Sequence, residues 1–451
     1  MRKATSVLLS TLAITLFSLT AQAAERDVSR LEKDLTPVGA ERAGNASGTI
    51  PEWTGGLSKP PQNWKPGTIE VDPFPYDERL FTIHSGNASL YKEHLTPGQQ
   101  AMMNTYPDSY YIPVYKTRRT AAYPDWIYEK LKENAKTATL IKNGNGVRNT
   151  IATSPFPMPE NGLEALWNHI LRYRGKQVAF RSAFATPQRD GSFNPIMTEY
   201  KYYFAYSEPG VQLSEIDNKI FYLKTRIISP ASLSGTRNLV HETLDQIRSP
   251  RLAWRYQTGE RRLRRSPNLA YQTNLPNSEG FRTVDQKDMY NGAPNQYDWT
   301  LKGKREIYVP YNSYGLHSKE VSSQDIVRPG HINQALTRYE LHRVWVVEAK
   351  LRVGMPHIYH RRVFYLDEDS WQILLTEEYA EDGHLWRVSE AHPIVYYGQP
   401  LLWTTLENTY DLDAKRYFVD GLDTQDSGYI FDPGFTRRSF TASAVRREAR
   451  R

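Results

Sequence analysis

Leu341-His342-Arg343-Val344-Trp345-Val346-Val347-Glu348-Ala349-Lys350-Leu351-Arg352-Val353 carries the fold class in its spacing. Every second residue from Leu341 to Val353 is apolar except Arg343, while His342, Glu348, Lys350 and Arg352 fall in the other set. Side chains alternate across a strand, so the pattern predicts one buried and one wetted face, as in antiparallel sheets. Outward from there, Gly354-Met355-Pro356 breaks the run and His357 to Leu366 resumes it. Asp367-Glu368-Asp369-Ser370 breaks it again, before Trp371 to Tyr379 and Leu385 to His392. Strands parted by short polar turns, with no convincing helix between them, predict a meander and argue against β-α-β winding. Lys219 to Ile228, β-branched and aromatic, reads as another strand.

Three helices precede the strands. Thr96 with Pro97 and Gln99 forms a capping-box start. Asp125, after Pro124, caps a helix carrying Ile127 and Leu131. Asn161 to Arg174 puts Leu163, Leu166, Trp167, Ile170 and Leu171 on one face and stops at Gly175, so that face must be buried. The fold class expected is mainly β with helical cover (α+β).

The ends differ in character. Arg2 and Lys3, the apolar stretch Val7 to Leu19 and Ala21-Gln22-Ala23 make a secretory signal over residues 1–23. The stretch is short of the roughly 20 residues a bilayer span needs. A periplasmic address follows, and DNA, RNA and nucleotide cofactors fall away as partners. A net charge of +7 is too weak to argue for nucleic acid. Residues 24–75 hold seven prolines and six glycines between Thr36 and Pro75, which excludes long regular elements. Trp53 and Trp64 within it point to an ordered segment wrapped on the body. The body is placed at 76–436 and a basic tail at 437–451, read as solvated or, functionally, as a peripheral contact with anionic headgroups.

Chemistry is sparse. Zero cysteines exclude disulfides, thiolate metal sites and a thiol nucleophile. No Gly-x-Ser-x-Gly, phosphate loop or His-Glu-x-x-His occurs. His357 and His360, three apart on a strand, point to opposite faces and make no chelate. Asp367, Glu368 and Asp369 fall at a turn, as do the acids Glu377, Glu378, Glu381 and Asp382 near the next one, and read as turn chemistry. The run Trp254 to Arg265 reads as a hairpin turning at Thr258-Gly259. Arg261, Leu263 and Arg265 then share one face, Arg262 and Arg264 the other, so a cation calls for an anionic partner. Tyr 30 and Trp 10 outnumber Phe 15, which favours apolar surfaces wetted at one edge.

Several blocks resemble an exported Gram-negative family, number 1329 of the domains of unknown function. They are Leu35 to Asn45 with Gly48 to Gly56, Phe156-Pro157-Met158-Pro159 to Ile170, Pro250 to Tyr256 with its arginines, Tyr339 to Ala349, and Arg362 to Trp371. The resemblance implies a fold like the periplasmic lipoprotein carriers of the outer-membrane sorting system, an incomplete antiparallel barrel closed by helices around an apolar cavity. It also implies association with an inner-membrane transporter of the resistance-nodulation-division type and an outer-membrane protein, and it supplies no catalytic residue. The function expected is a non-enzymatic, cofactor-free and metal-free carrier for a hydrophobic or lipid-like ligand. Trp254, Trp345, Leu351 and Trp386 are chosen as walls, with Arg262 and Arg264 at the mouth. The alternatives are a structural or adaptor subunit of an envelope transport complex, and an envelope hydrolase using Asp367, Asp369 or Glu378.

Overall fold

A computed structural model describes residues 26–62, 64–65, 67–246, 248–266, 271–424 and 428–450. The secretory signal lies outside them. Sixteen strands form one sheet: β1 (Phe81–Ile83), β2 (Ile112–Val114), β5 (Gln177–Ala185), β6 (Ile196–Tyr203), β7 (Lys219–Ser229), β8 (Arg237–Thr243), β9 (Leu252–Gln257), β10 (Arg262–Arg265), β11 (Tyr297–Pro310), β12 (Tyr339–Leu351), β13 (Arg361–Asp367), β14 (Ile373–Tyr379), β15 (Leu385–Tyr396), β16 (Leu401–Asp411), β17 (Arg416–Leu422) and β18 (Ile430–Phe431). A small separate hairpin holds β3 (Thr139–Leu140) and β4 (Val147–Arg148).

Two antiparallel meanders make up the sheet. One runs β5 to β10, the other β11 to β17, and they join where Val419 of β17 pairs with Ala185 of β5. The order β1-β2-β12-β13-β14-β15-β16-β17-β5-β6-β7-β8-β9-β10 does not close on itself. The result is a large, curved, mostly antiparallel open sheet, with one parallel pairing, Tyr339 with Val114. Fold class and meander match the sequence pattern.

The one-sided burial expected of Leu341 to Val353 is corrected. His342 and Val344 of one alternating set are buried, and so are Leu341, Val347 and Ala349 of the other. The segment is covered on both faces because distant chain returns over it. α1 (Pro97–Thr105) packs Met102 and Met103 into a cluster with Leu341, Val388, Leu406 and Ala185. α2 (Asp125–Thr137) and α3 (Gly162–Leu171) share another with Phe180, Tyr202, Val346 and Leu374. A third seats α5 (Ala442–Ala449) through Val445 and Phe440 against Tyr203, Leu239 and Trp254. The tail therefore docks through a short helix, while its described arginines, Arg437, Arg438, Arg446, Arg447 and Arg450, stay exposed. α4 (Ser323–Ile326) is a single turn.

Local signals explain the helix ends. Thr96 and Gln99 close the capping box of α1, and the Glu164 amide donates to Asn161 Oδ1 at 3.0 Å at the start of α3. α3 stops at Leu171, three residues before the expected end, because Arg172 and Arg174 turn away to bind Asp288. α2 starts without a side-chain cap, with Asp125 as its first residue. β13 begins at Arg361, so His357 and His360 belong to the connection before it rather than to a strand. His357 Nε2 lies 3.2 Å from Asp285.

The described residues between 33 and 75 hold no helix or strand and run across the body as a strap. Gly39 (φ 90°) and Gly56 (φ 70°) set its closeness: a Cβ would lie 1.8 Å from the Pro157 carbonyl oxygen in one case and 2.2 Å from that of Ala121 in the other. Only glycine tolerates both the left-handed backbone and the contact.

Candidate functional site

The row of cross-strand partners Phe180–Tyr200–Thr225–Asn238–Arg255–Arg264 crosses β5 to β10 without a break. Directly opposed residues share a face, so all six look to the same side. On that side the sheet borders a cavity of about 130 Å³. Phe184, Leu223, Ile227 and Val240 supply its apolar floor, and Leu275, Pro276 and Val284 from the 271–287 connection roof it. The roof is held by the Asn274–Thr283 bridge and by the Leu275 amide bonded to the Arg282 carbonyl at 2.8 Å.

Four charged side chains reach this cavity, and three have partners. Lys287 Nζ lies 2.6 Å from Asp420, which also holds Arg282 at 3.2 Å. Buried beside that carboxylate, the Lys287 ammonium is held well above the usual lysine range by Asp420, which outweighs its desolvation. Arg251 Nε stands 3.2 Å from Glu242, and its guanidinium lies over the Tyr271 ring. Arg255 has no ion pair or hydrogen bond among the described residues, and its Nε is buried without a partner. Burial alone pulls its guanidinium below the usual arginine range. Asn238 Oδ1 and Thr198 Oγ1, on the same floor, also lack partners among the described residues.

Arg255 and Pro276 line a second, open space of about 630 Å³ immediately outside. Arg262, Arg264 and Arg265 surround it, opposed by the single acid Glu260, which sits 3.1 Å from Arg264. At the inner end, Lys287 and Asp420 also border a void of about 40 Å³ with Arg172, Arg174, Asp288 and Glu407. The arrangement therefore runs from an arginine shelf, through an apolar cavity, to a closed set of ion pairs.

The residues chosen from sequence scatter. Arg262 and Arg264 line the shelf. Trp254 lies on the opposite face, edge-on to His241 and packed in the α5 cluster. Trp345 stacks on Trp371 at 6.2 Å under Lys304, Leu351 packs on the main core, and Trp386 carries Arg387 at 4.1 Å. Arg251, Arg255, Leu223 and Val240 were not chosen. The signal for Arg255 was present: with the turn at Thr258, it falls opposite Arg264 and shares its face.

Asp367, Glu368 and Asp369 do sit at the turn that ends β13, and there they are buried, whereas Glu381 and Asp382 at the next turn are exposed. Arg119 bonds both Asp369 oxygens, at 2.7 and 2.8 Å, approaches Glu368 at 3.4 Å, and donates to the strap carbonyls of Glu41, Arg42 and Pro51. The Glu41 amide donates to Glu368, and Trp371 Nε1 to the Val38 carbonyl. Burial, with Asp369 beside it, pushes the Asp367 carboxyl up to about 7. Ligand atoms of His342, Asp367 and Asp369 lie within 4.8 Å of one another. They are already engaged: Asp369 by Arg119, His342 Nε2 by Glu340 at 3.1 Å, Asp367 by Tyr311 and Ser370. The cluster anchors the strap. Glu378, held by Ser389 and Gln286, is likewise buried, and neither it, Asp367 nor Asp369 borders the cavities above.

A family model described as a protein of unknown function, DUF1329, matches residues 82–446. The chain belongs to the DUF1329 family. Within reach of that family, the uncharacterized protein PA3922 of Pseudomonas aeruginosa is 45% identical over 451 residues, 99% of either chain. Among solved structures, a putative outer membrane lipoprotein-sorting protein domain from Vibrio parahaemolyticus is similar at TM-score 0.44 and 13% identity, covering 63% of this chain and 98% of that one. A DUF1329 protein from Desulfovibrio piger is similar at TM-score 0.39 and 15% identity, covering 60% and 92%. No helix among the described residues of this DUF1329 chain is long and apolar enough to cross a membrane.

Proposed function

We propose that this protein is a periplasmic binding or carrier protein for a hydrophobic or amphipathic, lipid-like ligand and performs no chemistry on it. The observation that carries the reading is the apolar cavity between the β5–β9 floor and the 271–287 roof, which adjoins the arginine shelf at Arg255 and Pro276. A void of about 150 Å³ takes a benzene-sized ligand, so about 130 Å³ accepts a chain end of no more than about five carbons. At ~0.8 kcal/mol per methylene, sheltering it contributes roughly 4 kcal/mol before the cost of association. Hand-over to an inner-membrane transporter and an outer-membrane protein belongs to the same proposal. The burial of Asp367, Asp369 and Glu378 speaks against a hydrolase built on them.

Native mass spectrometry of protein purified from its own periplasm, with displacement of a fluorescent fatty-acid probe, tests the reading. Bound lipid and saturable displacement are expected. Protein free of lipid that displaces nothing refutes carriage and leaves the adaptor role, which stoichiometric co-purification after crosslinking would report.

A further inference from the structure

The geometry points to an anionic single-chain amphiphile as the ligand class, its tail in the β5–β9 cavity and its carboxylate or phosphate head at Arg255, Arg262 and Arg264. This inference rests on the carrier reading and adds the sign and place of the head.

Three observations converge. Arg255 and Arg264 are direct cross-strand partners on one face. Like charges so placed repel, and an anion between them converts the repulsion into two charge-assisted hydrogen bonds. Second, the charges are unevenly satisfied. Lys287 and Arg251 each face a carboxylate, Asp420 at 2.6 Å and Glu242 at 3.2 Å, although Arg251 Nε and Nη1 complete no hydrogen bond among the described residues. Arg255 at the neck is unmatched among the described residues, and four arginines face one glutamate on the shelf. Third, cavity and shelf adjoin, sharing Arg255 and Pro276 as walls, which places the guanidinium of Arg255 at the border between an apolar and a cationic space. An apolar floor ending at unmatched guanidinium groups orients a ligand tail-in and head-out. A neutral lipid would leave Arg255 half-buried and unpaired, which costs affinity.

The experiment uses the mature full-length chain and calorimetry with dodecanoate, dodecyl phosphate, dodecanol, acetate and inorganic phosphate. The expected result is that the two charged dodecyl compounds bind at least about tenfold more tightly than dodecanol, and that acetate and inorganic phosphate alone do not bind measurably. Whichever charged compound binds more tightly names the head. Arg255→Gln should cut the preference over dodecanol to about twofold, chiefly by weakening the charged compounds. The Arg262→Gln/Arg264→Gln variant, on an exposed edge strand, should weaken the preference and flatten its salt dependence even if Arg255→Gln fails to fold. Equal binding of dodecanol and dodecanoate overturns the anionic head and leaves the carrier reading intact. Failure of every dodecyl compound to bind overturns both. Binding of inorganic phosphate as tight as dodecyl phosphate overturns the joined tail-and-head site.

Discussion

Val240→Phe should separate a cavity that holds ligand from one that merely exists. Val240 lies mid-strand on β8 between Leu223 and Ala253, buried, with its side chain on the cavity floor. Phenylalanine adds roughly 50 Å³ over valine, more than a third of the space, in a cavity of about 130 Å³. That volume equals about two methylene groups of ligand, which at ~0.8 kcal/mol each is a loss of about 1.6 kcal/mol, or roughly fifteenfold in dissociation constant. Folding should change little, by less than about 1 kcal/mol, because the ring enters empty space and phenylalanine suits a strand. Displacement of a fluorescent fatty acid gives the first quantity and urea unfolding the second. Unchanged binding in a normally stable variant would refute a tail on this floor. A stability loss of about 3 kcal/mol or more would show that the floor has no such room.

Two further outcomes follow from buried charge. Burial pushes the Glu378 carboxyl up to about 7, from an ordinary 4.5. Between those values it holds its proton in the folded chain and has lost it in the unfolded one, so its contribution to stability falls as pH rises and is fully lost above about 7. Glu378→Gln should therefore gain on the native protein by on the order of 3 kcal/mol between about pH 4.5 and 8, read from paired urea melts. A pH-independent difference would contradict the buried protonated acid. Arg119→Ala leaves Asp369 and Glu368 buried without that guanidinium and frees three strap carbonyls; a loss of about 3 to 5 kcal/mol is expected, with early proteolysis between Arg42 and Lys59 as the checking measurement. Cleavage elsewhere first would place the anchor differently.

Much of the architecture was legible because strand alternation and short turns are local properties. β7 and β12 through β15, the caps Thr96 and Asn161, and the Thr258-Gly259 hairpin could all be read from neighbouring residues. What covers each face is not local. His342 and Glu340 are buried because β2, the extended segment around Arg118 and the Asn312 loop return from far along the chain. The chosen wall residues scatter for the same reason: alternation places Trp254 on a face but does not say that α5 takes that face and the cavity the other. Arg255 needed only the hairpin register, which sequence supplied, and the further step of carrying Arg264's face across it. The α5 helix was missed because six arginines near a terminus mask the few apolar residues, Phe440, Ala444 and Val445, that dock it.

The strap also dictates an order of events as the chain folds. Val38 and Glu41 find their hydrogen-bond partners at Trp371 and Glu368, more than 320 residues later in the chain. The strap thus waits unseated until the second meander has formed, and closing so wide a loop is slow. Until then the proline- and glycine-rich composition serves the chain in another way, since a segment unable to form strands offers unfinished sheet edges nothing to pair with.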